Sequence, residues 1–353
     1  MLLLNGLAVL CVVLHHAAAF GFQAMFDWTH RYREVTVPNY DLIGSLPFYA
    51  LIMVRQLDQF ALPAFMFVSG YFVAFMAGGD GSKLSWKAVW PRARRFVAPF
   101  IIWSLIFIVL IARPNSIGTL LTPYYYIPLV IQYYLISPLI VPLARRHWKL
   151  VLVAAAVIQL GMTLLRMMNL IGPELIGLDR KIVMPQWLFP NLFFWFVLGI
   201  VIGLQRQRFA QALSRARWVL LVGVLLLASL TIFEYVGATR LSGKAWLGPS
   251  YVGITATLYA LAFILCFLAF SDVPFPLARE LSDLGTKSLG VYLANIPAMY
   301  VFAVVMYRYF PGMLGNLLLY LGVLIIVGLG GPLLIMSILR RSAARGAYRY
   351  VFG

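Results

Sequence analysis

The chain has 353 residues, of which 63% are hydrophobic and only 11% charged, with a net charge of +17 and a mean hydropathy of +0.90. A soluble protein carries about 25% charged residues, so the composition excludes a soluble globular domain and predicts an all-α, polytopic bundle in a membrane. The excess of lysine and arginine, which in a soluble chain would point to nucleic acid, is first a matter of membrane orientation.

About ten spans are expected, at 2–20, 57–77, 96–112, 122–143, 150–168, 188–204, 217–236, 250–270, 284–307 and 313–339. Leu46–Val54 is also apolar and reads as an interfacial or continuing helix before the second span. Most of the 28 lysines and arginines fall on one set of alternate segments. By the positive-inside rule this puts both termini in the cytoplasm and accounts for the charge through membrane lipids, with no nucleic acid partner. No internal repeat divides the chain, so 1–353 reads as one transmembrane domain.

The first stretch, Leu2–Phe20, is apolar except for Asn5 and the pair His15 and His16. It lacks a basic n-region and a small-residue cleavage site, so it reads as a span and not a cleaved signal. An ionisable residue inside such a run is costly and is functional by default. Asn5 and His16 are eleven residues apart, which on a helix leaves only ~20° of drift and roughly 16 Å of rise, so both share a face. His15 points about 100° away, and if one histidine meets protein the other is not expected to. His16 either bonds a neighbouring helix and holds packing or does chemistry.

In the second span, RQLDQFALPAFMFVSGYF, Arg55 and Asp58 are spaced i,i+3 as an ion pair, Pro63 invites a kink, and Ser69-Gly70 permits close helix approach. GGDG at 78–81 is a turn and not a phosphate loop, because no strand precedes it. The third span opens with PRARRFVAPF, with Pro91 suited to a first helical position and Arg92 and Arg95 one turn apart. Cations at a helix N-terminus oppose its dipole. That leaves membrane anchoring or an anion site as their purpose.

The fourth span is crowded with tyrosine and proline, and its Gln132 and Tyr133 could line a cavity at mid-membrane. Gly199 and Gly203 in the sixth have small-xxx-small packing spacing. In the ninth, Asn295 and Pro297 interrupt the apolar run. Two outer loops, 21–47 and 169–187, are long enough to meet a polar substrate such as a sugar. Cys11 and Cys266 form no pair or CxxC, and no metal site is indicated. The pattern alone fits a transporter as well as an enzyme.

Four features in order resemble the membrane acyltransferase 3 family, the O-acyltransferases of bacterial surface polysaccharides and lipids. They are the histidine ending span one, FALPAFMFVSGYF in span two, RARRFVAPF opening span three and GVYLANIP near the end. The resemblance implies that His16 is the catalytic residue, that Arg92 and Arg95 meet the phosphates of acyl-CoA, and that Ser69 and Gly70 are the family's Ser-Gly. It implies no bound cofactor: acyl-CoA, acetyl-CoA most simply, is a co-substrate. The acceptor would be a hydroxyl of a cell-envelope carbohydrate or lipid-linked glycan at the cytoplasmic membrane. Asn5 stands where the family has arginine in the donor site, Ala61 where some members have histidine, and Asn295 in place of the histidine of Tyr-Leu-x-His. Asp58, Ser69, Tyr133 and Asn295 are supporting candidates. The three departures favour a glycan or lipid transporter or export component on the same fold, or a structural partner in polysaccharide assembly; His16 with Arg92 and Arg95 favours the enzyme. On the enzyme reading, changes at His15 should be tolerated.

Overall fold

The computed structural model describes residues 1–26, 42–78, 84–111, 123–171, 184–244, 247 and 252–353. Of the two long loops singled out above, 27–41 and 172–183 lie outside the described residues, as do 79–83 of the turn that begins at Gly78. Among the described residues the chain is helical, without strands. The α-helices in order are α1 (Leu2–Phe26), α2 (Leu46–Leu57), α3 (Ala61–Met76), α4 (Trp86–Arg95), α5 (Val97–Ile111), α6 (Tyr126–Ile171), α7 (Phe193–Leu204), α8 (Arg206–Ser242), α9 (Ile254–Ala269), α10 (Ala278–Thr286), α11 (Ser288–Tyr309), α12 (Leu317–Arg341) and α13 (Tyr348–Val351).

Among the described residues seven segments are helical, long and apolar enough to cross a membrane: Leu2–Phe26, Leu46–Met76, Trp86–Leu110, Tyr126–Asn169, Arg206–Ser242, Ser288–Tyr309 and Leu317–Arg341. Two shorter apolar helices, Phe193–Leu204 and Ile254–Ala269, accompany them. The chain is a multi-pass membrane protein. The 46 residues of α6 are enough for roughly 70 Å of helix at ~1.5 Å per residue, about twice the hydrocarbon thickness. The helix breaks at His147, which leaves helical geometry with φ −133° and ψ 45°. Arg145, Arg146 and Lys149 flank the break.

α1 is the hub of the bundle. It packs on α2, α3, α10, α11 and α12, and Leu4, Ala8, Val9, Val12, Val13 and Ala17 are buried along it. A helix apolar on every side suits a position enclosed on every side. This also corrects the expectation that only one of His15 and His16 meets protein: with neighbours all round, both directions lead into the bundle.

Glycine permits the closest contacts. A Cβ on Gly70 of α3 would strike the Phe196 carbonyl, and one on Gly199 of α7 would strike the Phe67 carbonyl. The two backbones touch at reciprocal points, as small-residue spacing allows.

Two helix breaks differ from the expected ones. The second span is interrupted at 58–60, before Pro63, which falls in the first turn of α3 where its missing N–H leaves nothing unsatisfied. The third span is interrupted at Phe96, so Pro91 lies inside α4 and Arg92 and Arg95 lie in that helix's last turn. Cations there complement the helix dipole. The same cations stand just before the N-terminus of α5, which begins at Val97, and oppose its dipole, so helix stability alone does not account for the pair.

Candidate acyl-transfer site

α1 carries both histidines into contact with partners on other helices. His16 Nδ1 lies 2.6 Å from Asn295 Oδ1, and His15 Nδ1 lies 2.7 Å from Asp58 Oδ1. The rings meet edge to face, with centroids 5.9 Å apart.

The sequence around Asn295 builds its side of the contact. Pro297 lacks an N–H for the Leu293 carbonyl one turn earlier. Tyr124 fills the gap, its hydroxyl donating to that carbonyl at 2.9 Å. Asn295 Nδ2 donates to the carbonyls of Val291 at 2.8 Å and Tyr292 at 2.7 Å. The amide is thus turned with Oδ1 outward. An amide oxygen only accepts, so His16 Nδ1 carries the hydrogen and Nε2 carries the lone pair. That is the tautomer of a general base.

Asp58 reaches His15 because the chain leaves the helix at 58–60. The carboxylate is 4% exposed, and its Oδ2 has no hydrogen-bond partner among the described residues. Arg55, also buried, adds positive field from one turn away. The i,i+3 spacing suggested Arg55 as the partner of Asp58, and the two are electrostatic neighbours; the carboxylate also has a hydrogen-bond partner that the spacing did not suggest, His15.

A cavity of about 240 Å³ is lined by His15, His16, Asp58, Arg166, Trp195 and Tyr292, with Ala61, Tyr125, Gln159 and Thr163 also on its wall. Pro123, Gln186 and Val252, which precede α6, α7 and α9, also line it. Met1 is an electrostatic neighbour of Arg206, and Arg145 donates to the carbonyls of Ala77 at 2.8 Å and Gly78 at 2.9 Å. These define a basic end. The first half of α6 runs from Tyr126 to Arg145, so its start, and the cavity, lie toward the other end. A second cavity of about 520 Å³ lies at the basic end, with Arg145 and Arg206 in its wall.

The predicted residues divide accordingly. His16, Asn295 and Asp58 come together. Ser69 donates to the Phe65 carbonyl at 2.9 Å and lies 3.4 Å from the Tyr126 hydroxyl, one layer away from the cavity wall. Tyr133 does not line the cavity: it is fully buried, donates to the Asn191 carbonyl and stacks on Phe193 and Phe196. Its place in an aromatic stack makes it a packing residue. Arg92 and Arg95 are exposed on α4 and take no part in the cavity wall. Asn5 also stands apart from it, roughly 16 Å along α1 from His16, with Oδ1 buried and without a partner among the described residues. Sequence reasoning missed His15 as the partner of Asp58, and it missed Arg166, whose only signal was a cation two residues inside the end of an apolar span. Among the described residues no group of three His, Cys, Asp or Glu could hold a metal.

The sequence profile of the Acyltransferase domain family, acyltransferase 3, matches residues 3–336. The chain belongs to this family. It is an acyltransferase. No curated protein and no solved structure matches it. The match runs from the start of α1 to within α12, so it contains both histidines and Asn295.

Proposed function

We propose that this membrane acyltransferase moves an acyl group, acetyl most simply, from cytoplasmic acyl-CoA to a hydroxyl of a cell-envelope carbohydrate or lipid-linked glycan. The observation that carries the reading is the His16–Asn295 contact, which leaves Nε2 of His16 as the base in a cavity large enough for a hydroxyl and a thioester. Nε2 takes the hydroxyl proton as the oxygen attacks the thioester carbonyl. The C–O bond forms, the C–S bond breaks, and the proton leaves with the CoA thiol. A positioned base of this kind contributes about 10²–10⁴-fold.

Placing the basic end in the cytoplasm puts both termini there, in a ten-span topology in which α6 turns back at His147. The CoA nucleotide is then met at that end, where Arg145 and Arg206 line the larger cavity, with Arg92 and Arg95, exposed on α4, as further partners for its phosphates. The acceptor enters from the opposite end, on the side of the cavity lined by Pro123, Gln186 and Val252. The family's arginine near the start of the first span is Asn5 here, so donor affinity rests on the arginines of other helices.

The test is turnover of labelled acetyl-CoA by the purified protein in lipid. Loss of turnover in His16→Ala, with weaker acetyl-CoA binding in Arg92→Ala/Arg95→Ala, supports the reading. Specific binding without any turnover, in a folded sample, would shift it to a transporter or export component.

A further inference from the structure

Arg166 is held in the cavity wall by a prearranged partner. Asn191 is 1% exposed, and its Nδ2 donates to the carbonyls of Pro185 at 2.9 Å and Leu188 at 2.8 Å. That fixes Oδ1 toward Arg166, whose Nη2 donates to it. A guanidinium has five N–H donors in a rigid fork. One is spent on aiming the group.

Arg166 makes no ion pair with a carboxylate among the described residues. Asp58, the acid of this cavity wall, is bound to His15. A cation turned inward near the end of a membrane bundle, when it could extend to the interface, is costly and calls for a function. The polar groups around it suit a hydroxyl-bearing ligand. Gln159 Oε1 is buried without a partner among the described residues, and Thr163 and Tyr125 share the wall.

We propose that Arg166 binds an oxyanion, carboxylate or phosphate, on the acceptor, so that this enzyme acylates an acidic glycan and not a neutral one. The bidentate geometry of guanidinium and oxyanion would orient the acceptor in the cavity that His16 shares. This inference rests on the cavity being the acyl-transfer site, and its test reads binding so that the two can fail separately.

The experiment is a thermal-shift titration of the protein in nanodiscs with glucuronate, glucose 6-phosphate, glucose and coenzyme A, in wild type, Arg166→Gln and Arg166→Lys. A ligand bound only by the folded state raises Tm with concentration. Both acidic sugars should bind wild type at least tenfold more tightly than glucose. Arg166→Gln should abolish that preference, and Arg166→Lys, which keeps the charge without the fork, should retain part of it. A preference for only one acidic sugar identifies the oxyanion as carboxylate or phosphate. Equal shifts by glucose and the acidic sugars, or a preference that survives Arg166→Gln, would overturn the proposal. So would Arg166-dependent binding of coenzyme A without the acidic sugars, because it would put the donor here. Arg166-dependent binding of acidic sugars by a protein that transfers no acyl group would sink the transfer reading alone and leave the anion site standing.

Discussion

Asn295 Oδ1 lies 2.6 Å from His16 Nδ1 although 279 positions separate the two residues in the chain. The contact turns an apparent defect into a part. Asparagine at this place cannot act as a base, but held by two carbonyls of its own helix it can only accept from His16. Asn295→Ala should therefore leave His16 in place with its tautomer unset. The expected result is a fall in kcat of about 10²-fold, within the range for a positioned base, with KM for acyl-CoA little changed. Asn295→Asp, which keeps the accepting oxygen, should recover part of the rate. Steady-state kinetics on the purified variants would show both effects.

His15 is the partner of a buried carboxylate, so changes there should not be neutral. Removing one member of a buried pair costs about 3–5 kcal/mol. His15→Ala and Asp58→Ala should each lower Tm, and the double variant should lose less than the sum of the two because the pair is broken once. Thermal unfolding of the three variants in the same detergent checks this; additive losses would mean that the two side chains act independently.

Arg92 and Arg95 are exposed and lie in the last turn of α4. Their replacement by alanine should change stability by about 0.5 kcal/mol or less each. If they meet CoA phosphates, the double variant should raise KM for acyl-CoA with kcat unchanged, and added salt should raise wild-type KM in the same direction.

The α3–α7 seam depends on two glycines whose added Cβ atoms would strike backbone oxygens. Backbone cannot step aside as a side chain can, so Gly70→Ala and Gly199→Ala should each destabilise by about 1–3 kcal/mol, the usual cost of overpacking. Gly223→Ala, at a site with open space around it, is the matched control and should lie near wild type.

Much of this was legible in order along the chain. Length and polarity mark α1 as a membrane helix, and the position of His16 within it already argues for function. The glycine spacings at 70, 199 and 203 give the close seam, because small residues act locally and periodically. What failed did so where a helix stops. The spacing of Arg55 and Asp58 marked them as electrostatic neighbours, but it gave no sign of the break at 58–60 or of the contact between Asp58 and His15. PRARRF looked like a helix start because of Pro91, whereas the break comes five residues later at Phe96, so the arginines close α4 and directly precede α5. Arg166 and Asn191 find each other across a connection, and no periodicity announces such a meeting. Tyr133 shows the opposite error: a polar tip at mid-membrane suggested a cavity, but its ring fits a phenylalanine stack and its hydroxyl satisfies a backbone carbonyl.

The most direct test of the central claim is transfer of radiolabelled acetyl from acetyl-CoA by the purified protein in lipid, comparing wild type with His16→Ala at matched folding and matched acetyl-CoA binding. The account predicts turnover in wild type, as hydrolysis or as transfer to an added glycan, reduced by about 10²–10⁴-fold in the variant. Full turnover in a folded His16→Ala protein would contradict it.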